Sequence, residues 1–432
     1  MRNKHRMCIL MFIFSVLFPV DVHADDQKIE KAVKKHTAGI IELRHQIHQY
    51  PELGNREFKT AELVANHLKS MGIEVQTGVA HTGVIGILRG GKPGPVVAVR
   101  ADMDALPVTE DTDLPFKSTV RTTYLGNDVG VMHACGHDIH TSVQLGVASV
   151  LSSIRNEIPG TVKFIFQPAE EGPPPGEEGG AELMVQENTM ENPRPVAVFG
   201  LHALASMEAG KIGYTSGPAF AAVDHFIAKV KGKQAHGARP EESIDPVVMA
   251  SEVVTAFQTI RSRSLNPREP SVVTVGIIRG GQRFNIIPSE VHLEGTVRTY
   301  SKKARDGVEN RMDELLKGIT SAYGGSYELD YDRGTPATIN DPKLTAQVIP
   351  SLKRAIGREN VMEVPPTMGG EDFSFFANVV PGFYYRLGMV KPGTVSGGHH
   401  TPTFRADDSC IPVGMKAMST LIIDFMKSGG LQ

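Results

Sequence analysis

The sequence has few cysteines and little net charge, and it contains one long apolar run. Its 45 lysines and arginines nearly balance its 48 aspartates and glutamates, which leaves a formal net charge of −3. That charge does not favour nucleic acid as the main partner. No internal repeat or low-complexity segment stands out. The 432 residues exceed one typical domain and fit two.

The apolar run lies at the amino terminus, from Met7 to Val20. Arg2, Lys4 and Arg6 precede it, and Val22-His23-Ala24 follows as a small-x-small cleavage signal. This pattern indicates a secretory signal peptide at residues 1–24. A retained membrane anchor is the alternative, although the run is short for a span. We therefore expect a secreted or periplasmic protein, soluble after cleavage, because no second run is long enough to cross a bilayer.

The chain has three cysteines, and Cys8 leaves with the signal peptide. In an oxidising compartment the remaining pair, Cys135 and Cys410, is a candidate disulfide. The residues around Cys135 offer a competing interpretation, because they are of metal-binding type.

Short apolar strands alternate with helical patterns along most of the chain, which predicts an α/β fold. We expect a largely parallel central sheet flanked by helices. The pattern from Ile29 to Gly72 is helical throughout. Residues 217–334 differ, because their order β-α-β-β-α-β is that of the ferredoxin-like split unit, with Asp245 as the N-cap of its first helix. The larger predicted domain, 25–216 and 335–432, is therefore interrupted by an inserted α+β domain.

Five segments carry polar residues of metal-binding type, and each is expected at or beyond the end of a strand. Their residues are Asp102 and Asp104, Cys135 and His137, Glu170 and Glu171, His202, and His399 with His400. In open α/β sheets the carboxyl edge of the strands is where ligands bind. A histidine or an acid pair taken alone is more often solvated or hydrogen-bonded than a ligand. Five such segments at strand ends favour a shared site.

Thiolate, imidazole and carboxylate together suit zinc, manganese or cobalt. Two bridged divalent ions can activate a water molecule and polarise a carbonyl group. One of the twin glutamates can bind metal while the other moves the proton from the water to the leaving amine.

The chain resembles the dinuclear metallopeptidase clan of aminoacylases and carboxypeptidases, specifically its amidohydrolase branch. That branch includes hippurate hydrolases and plant hydrolases of indole-acetyl amino acids. The resemblance covers nearly the whole mature chain. It rests on the segments Arg44 to Glu57, Arg100 to Pro107, His133-Ala-Cys-Gly-His-Asp138, Gln167 to Gly172, Gly369 to Phe373 and His400-Thr-Pro. The His133 to Asp138 segment is highly specific to the branch.

The resemblance implies hydrolysis of the amide bond of N-acyl amino acids, with two metal ions per subunit. The implied metal ligands are Cys135, His137, Glu171, His202 and His400. Glu170 is implied as general base and acid. Asp102 and Asp104 are expected to orient ligands through hydrogen bonds, because Asp102 stands where the wider clan has a histidine ligand.

The resemblance also implies that the inserted domain is a lid, through which the protein forms a homodimer. In relatives the lid lends a histidine to the neighbouring active site, which here is His236, to stabilise an oxyanion. Asn285 and Arg298 are candidate anchors for a substrate carboxylate. The segment Gly172 to Gly179 departs from the shorter glycine-rich turn of many relatives, which leaves the acyl group undefined.

Two other functions are compatible with the same residues. Cys135 is a candidate nucleophile with a histidine base, which describes a thiol hydrolase. The second function is that of a periplasmic protein that binds metal or a small molecule without catalysis. Chelation separates the first from a metal enzyme, because a thiol enzyme keeps its activity with a chelator.

Overall fold

The computed structural model describes residues 22–432, with side chains from residue 25 onward. The helices are α1 (Val22–Gln49), α2 (Phe58–Ser70), α3 (His137–Ser153), α4 (Gly180–Gln186), α5 (Pro246–Thr259), α6 (Lys302–Ala322), α7 (Pro342–Ile356), α8 (Ser374–Ala377) and α9 (Cys410–Lys427). The strands are β1 (Glu74–Val79), β2 (Gly83–Arg89), β3 (Lys92–Asp102), β4 (Arg121–Tyr124), β5 (Asn127–Gly130), β6 (Pro159–Gln167), β7 (Val198–Glu208), β8 (Ile212–Tyr214), β9 (Gly217–Phe220), β10 (Ala222–Lys231), β11 (Ala235–His236), β12 (Ser271–Gly280), β13 (Ile286–Ile287), β14 (Glu290–Thr299), β15 (Ser326–Asp332), β16 (Thr338–Asn340), β17 (Val361–Glu363) and β18 (Gly382–Val390).

The large sheet has the strand order β1-β2-β6-β3-β7-β18-β8-β17. Its four central strands, β6, β3, β7 and β18, are mutually parallel. The edge strands β1 and β2 and the pair of β18 with β8 are antiparallel. The expected α/β fold with a largely parallel central sheet is confirmed. A parallel centre needs helices on both faces. Helices α1, α3, α7 and α9 pack together on one face, and α4 and α8 pack against the other.

The helical pattern predicted from Ile29 to Gly72 corresponds to two helices in the structure. α1 ends at Gln49 and α2 begins at Phe58. Pro51 lies in the gap, and it has no backbone N–H to donate and disfavours helix in the residue before it. The left-handed backbone of Asn55 then turns the chain.

A second sheet, antiparallel throughout, is built from the strands between Ala222 and Asp332 in the order β12-β14-β10-β15. That order, with α5 and α6 between strands, is the ferredoxin-like arrangement that the pattern predicted. It has a hydrophobic core of its own around Phe226 and Phe257. Asp245 caps α5 as expected, accepting a hydrogen bond from the Val247 amide at 2.9 Å. The domain boundaries at 217 and 334 stay predictions.

The chain enters and leaves this second sheet through one short ribbon, in which β9 pairs with β16. The ribbon places the amino-terminal end of β10 and the segment after β15 beside the carboxyl ends of the parallel strands of the large sheet.

Helix α3 lies at the centre of the molecule, and it is buried on every face from His137 to Leu151. Small residues such as Gly146 allow this, because a side chain at Gly146 would collide with Met415 of α9. The functional segment His133 to Asp138 therefore leads into the most enclosed helix of the large domain.

The predicted signal peptide lies outside the described residues except for Val22 to Ala24, which begin α1. It stays a prediction. Within residues 22–432 the helices are all too short or too polar to cross a membrane.

Candidate metal centre

Three of the expected segments meet at the carboxyl edge of the parallel strands. Asp102 is the last residue of β3, and Glu170 follows the end of β6 after a short turn. His202 lies in β7, just beyond Gly200, where the pairing of β7 with β3 ends. Because neighbouring parallel strands end on one side of the sheet, these side chains lie close together, and Glu170 and His202 line one cavity there.

Cys135 and His137 reach the same edge from a helix terminus, so the expectation that they follow a strand of the sheet is wrong. His137 is the first residue of α3, and Gly136 is its N-cap with a φ of 91°. Glycine suits this left-handed conformation, and a Cβ there would lie 3.1 Å from the Ala203 Cβ. The bend that Gly136 permits turns Cys135 and His137 toward the same cavity. The helix amino terminus favours negative charge at Cys135, but burial and then the charges of Glu171 and Glu170 raise the pKa of its thiol well above the usual range.

The ring of His137 is held so that one nitrogen faces the cavity. Its Nδ1 lies 3.1 Å from Asp104 Oδ1 and donates a hydrogen bond to that carboxylate. Nε2 is then the atom with the free lone pair, and it is buried with no hydrogen-bond partner. A buried imidazole nitrogen without a hydrogen-bond partner is available to bind a metal ion. Asp104 therefore has the orienting geometry expected for it.

His202 is oriented in the same way by its own strand. Its Nδ1 donates to the Ala203 carbonyl at 2.8 Å, which leaves Nε2 free at 3.6 Å from the Cys135 sulfur. Burial holds the pKa of His202 well below its usual range. The ring is therefore neutral, and the neutral form is the one that binds metal.

His140 lies close to these ligands but has no lone pair to offer. Its Nε2 accepts a hydrogen bond from the Ala203 amide at 2.7 Å, so its Nδ1 carries the proton. That proton is donated to Asp102 Oδ1 at 2.6 Å. Asp102 thus orients His140 rather than His137, from which it is 3.8 Å away. This pairing fixes the β7 backbone next to His202.

The two adjacent histidines after β18 also differ in whether they offer a free nitrogen lone pair to the cavity. His399 Nε2 accepts from the Ala205 amide at 3.1 Å, which puts the proton on Nδ1, the atom that faces Cys135. His400 Nε2 instead lies 2.9 Å from Glu171 Oε1 and 3.3 Å from the Cys135 sulfur. The hydrogen bonds therefore favour His400 over His399 as the ligand, and His400 is the residue that the family resemblance implied.

The free donor atoms form two clusters that share one sulfur. Cys135, His137 and His202 form one, with their donor atoms within 4.8 Å of one another. Cys135, Glu171 and His400 form the other within the same limit. Both clusters include the Cys135 sulfur, and the donor set of sulfur, imidazole and carboxylate would suit zinc, manganese or cobalt. The residues present therefore fit a dinuclear metal centre.

Glu170 points into the cavity from the turn that follows β6. Its Oε2 lies 3.8 Å from His137 Nε2, and its carboxylate is also near Glu371 and Asp372. Burial, and then the charge of Glu371, raise the pKa of Glu170 well above its usual range. A carboxyl group with raised proton affinity is suited to accepting and returning a proton.

Glu57 holds the turn that carries Glu170. Its Oε1 accepts a hydrogen bond from the Ala169 amide at 2.9 Å, and Ala169 has a left-handed φ of 49°. The Thr82 hydroxyl donates to the other oxygen of the Glu57 carboxylate at 2.5 Å. Glu57 lies in the segment that carried the family resemblance, although its residue type alone did not indicate a role.

Arg100 is a fully buried cation behind the site. Its guanidinium contacts three carboxylates, those of Asp102 at 2.7 Å, Asp372 at 2.8 Å and Glu371 at 3.1 Å. It also donates to Gln167 at 2.7 Å. This network joins the ends of β3 and β6 to the segment before α8.

A second buried network holds the start of α3. Asp138 accepts from Arg44 Nε at 2.8 Å and contacts His48 Nδ1 at 2.9 Å. Burial acts to raise the pKa of Asp138, but Arg44 and His48 outweigh it and hold that pKa well below its usual range. The residue next to His137 is therefore an anchored carboxylate. Like His140, Glu57 and Glu371, it was not singled out as a functional residue from the sequence.

The remaining predicted residues divide between the cavity and the surface. Arg298, from β14, lines the cavity of about 700 Å³ that the metal-binding residues also line. His236 is exposed on β11, and neither it nor Asn285 belongs to that lining. The chain therefore brings Arg298, but not the other two, to its own site.

Both cysteines expected to remain after cleavage are free thiols, so the alternative of a Cys135 to Cys410 disulfide is not what the structure has. Cys410 is buried at the start of α9, near Arg44.

Comparison with known proteins agrees with this geometry. The sequence profile of Peptidase family M20/M25/M40 matches residues 98–424. Thermostable carboxypeptidase 1 of Saccharolobus solfataricus is 37% identical over 403 residues, which is 92% of this chain and 98% of that protein. The N-acetyl-L-cysteine deacetylase of Bacillus subtilis is 36% identical over 374 residues, or 86% of this chain and 84% of that protein.

A solved structure shows the same architecture. It is the Bacillus subtilis YXEP protein, described as a dinuclear metal binding peptidase from M20 family. It is 32% identical, has a TM-score of 0.77, and the match covers 91% of this chain and 99% of that one. The fold, the matched profile and these identities agree with the resemblance read from the motifs, and the chain is a hydrolase that belongs to Peptidase family M20/M25/M40.

Proposed function

We propose that this protein hydrolyses the amide bond of N-acyl amino acids with two divalent metal ions held by Cys135, His137, Glu171, His202 and His400. The observation that carries the proposal is the pair of donor clusters that share Cys135, with Glu170 directed into the same cavity. The relative that acts on N-acetyl-L-cysteine supports the substrate class, because its substrate is an N-acyl amino acid.

The ions supply an activated water molecule and a polarised amide carbonyl when they are bound. The chain's own residues hold and move the proton. Glu170 takes the proton of the attacking water and returns it to the nitrogen of the leaving amine. Asp104 keeps the His137 ring in one tautomer and orientation. Arg298 is the proposed partner of the substrate carboxylate, since it lines the cavity and its planar fork matches two carboxylate oxygens.

The proposal includes a homodimer in which His236 acts at the partner's site, where it stabilises the oxyanion. Two observations support it. His236 is exposed and outside its own chain's cavity, and Asn285, on the facing strand segment, is outside it too. Phe284, next to Asn285, is 95% exposed, so a partner chain that covers it would bury a large apolar side chain. Secretion through residues 1–24 is also part of the proposal.

The substitution Glu170→Gln tests the catalytic assignment. Gln keeps the size of the side chain but cannot accept a proton, so the rate on N-acetyl, N-benzoyl and indole-acetyl amino acids falls about 10²- to 10⁴-fold. Elemental analysis is expected to find both ions still bound. Glu178→Gln is the control, because Glu178 is exposed in the following loop. Full activity of the Glu170→Gln variant contradicts the assignment.

The same variants separate the competing functions. A chelator removes the activity and added metal restores it, whereas a thiol hydrolase at Cys135 stays active. Mixing the inactive Glu170→Gln chain with an inactive His236→Ala chain restores activity when His236 acts across a dimer, because one site of each mixed dimer is then intact. If refolded mixtures stay inactive, His236 does not act in this way.

A further inference from the structure

Two arginines line the metal-site cavity without a carboxylate partner. Arg298 and Arg386 are both half-buried and both contribute to the lining. Among residues 22–432, neither guanidinium lies within 4.0 Å of an acidic side chain. The buried arginines elsewhere differ, since Arg44 and Arg100 each contact carboxylates. Arg305, another largely buried arginine, is paired with Asp224.

Arg386 is held in a fixed orientation near the metal ligands. It donates to the Pro365 carbonyl at 2.8 Å and to the Ala219 carbonyl at 3.3 Å. Its guanidinium lies over the Phe220 ring at 5.2 Å, and the Phe220 ring is 6.5 Å from the His202 ring. These bonds use two of its five N–H groups and leave the others available.

Arg298 and Arg386 belong to the same wall. Arg298 and Tyr300 are two residues apart along β14 and its end, so their side chains point to the same side of the sheet. Burial raises the pKa of Tyr300, and Arg386 is close enough to oppose that change in part. Burial also lowers the pKa of both arginines. The wall is thus a pair of partly desolvated cations, which a ligand with two negative charges would stabilise.

We propose that the cavity selects N-acyl amino acids whose amino acid half carries a second carboxylate, as in N-acyl aspartate and N-acyl glutamate. Arg298 binds one carboxylate and Arg386 binds the other. This inference rests on the proposed function, and it adds the class of amino acid that the active site accepts. Substrates with a cationic side chain are disfavoured at the same wall, because they approach two guanidinium groups.

A purely structural role for Arg386 is the competing explanation, because it also joins two loops through their carbonyl oxygens. Arg155 has that role elsewhere: it is half-buried and donates to the Met71 and Gly72 carbonyls at 3.1 and 3.0 Å. It is not part of the cavity lining. Arg155→Met is therefore a matched control for Arg386→Met.

The experiment compares kcat/KM for N-acetyl-glutamate and N-acetyl-glutamine with the metal-loaded, full-length mature protein. The two substrates have almost the same size and differ in one charge. We expect a preference for the glutamate substrate of about 10- to 100-fold, which is the worth of one or two charged hydrogen bonds. In Arg386→Met the ratio falls to near one, and in Arg155→Met it stays at the wild-type value. Arg386→Lys keeps part of the preference, because it keeps the charge without the fork.

A wild-type ratio near one overturns the inference, and it does so even if Arg386→Met fails to fold. A wild-type preference that survives in Arg386→Met overturns the role of Arg386. N-Succinyl-alanine and N-butanoyl-alanine form a second pair, in which the extra carboxylate is on the acyl half. If only this second pair shows a preference for the charged substrate, the second carboxylate is not recognised on the amino acid half, and the inference is overturned. Hydrolysis of N-acetyl-alanine without any charge preference contradicts only this inference, whereas no hydrolysis of any substrate contradicts the proposed function as well.

Discussion

Arg100→Gln removes the one cation from a fully buried cluster of acids. In the wild-type protein the guanidinium contacts Asp102, Glu371 and Asp372 at 2.7 to 3.1 Å. Glutamine can replace one hydrogen bond but carries no charge. The three carboxyl groups are then left without the guanidinium in a low-dielectric interior, where each must either stay charged on its remaining hydrogen bonds or take up a proton.

The size of the expected decrease in the free energy of unfolding follows from this geometry. Removing one partner of a single buried ion pair costs about 3–5 kcal/mol. Here three carboxylates lose the same partner, but protonation limits the cost. Burial already raises the pKa of Asp372 to about 7. Arg100 opposes this change, and Glu371 adds to it. We therefore expect a loss of about 3–5 kcal/mol from a total stability that for most domains is about 5–15 kcal/mol.

Urea unfolding followed by circular dichroism measures this loss, with wild type and variant at equal metal concentration. Arg89→Gln is the control, because Arg89 pairs with Glu74 on the surface, where both side chains are 60% exposed. That variant is expected to unfold close to the wild-type midpoint. A loss below about 1 kcal/mol for Arg100→Gln would refute the reasoning, since it would mean that the acids do not need the cation.

Two further predictions concern the metal loop and a buried lysine. Gly136→Ala forces an L-residue into a φ of 91° and brings its Cβ to 3.1 Å from Ala203. We expect the strain to lower the free energy of unfolding by about 1–3 kcal/mol and the amount of bound metal to fall as well. Gly126→Ala is the control, because Gly126 has a φ of 79° with open space around it, and this variant is expected to lose stability but keep its metal. Lys163 is 2% exposed, and burial lowers its pKa from 10.5 to about 8. Between these values the unfolded chain holds the proton that the folded chain has lost, so the stability of wild type relative to Lys163→Met rises with pH in this window and not below it. Unfolding curves of both proteins at about pH 7.5 and about pH 9.5 measure the difference, and a constant difference contradicts the shifted pKa.

The sequence was sufficient to predict the elements whose periodicity is strong. β3 contains the apolar run Val96 to Val99, which is typical of a buried strand, but the structure begins the strand at Lys92. The residues before the run are a lysine, two prolines and a glycine, so no apolar pattern marks them. Lys92 joins the strand by pairing with Pro159 of β6, which is distant in the sequence.

The candidate site was predictable in its residue types but not in its orientations. Cysteine, histidine and glutamate near predicted strand ends indicated a metal site, and the family resemblance implied which of them are the ligands. Whether a histidine offers a lone pair depends on its partners, and these are remote. His140 is excluded as a ligand by the amide of Ala203, 63 residues away. Arg100 reaches Asp372 across 272 residues. Such contacts leave no local pattern in the sequence.

The burial of α3 has a consequence for how metal enters and leaves. Every residue from His137 to Leu151 is buried, so the amides of this helix exchange hydrogen only when the large domain unfolds as a whole. The end of the site built from Cys135 and His137 therefore cannot open by itself. His400, in contrast, is exposed and lies on a loop after β18. Metal exchange under native conditions is thus expected to follow the opening of the loop around His400, at a rate independent of the global stability of the protein.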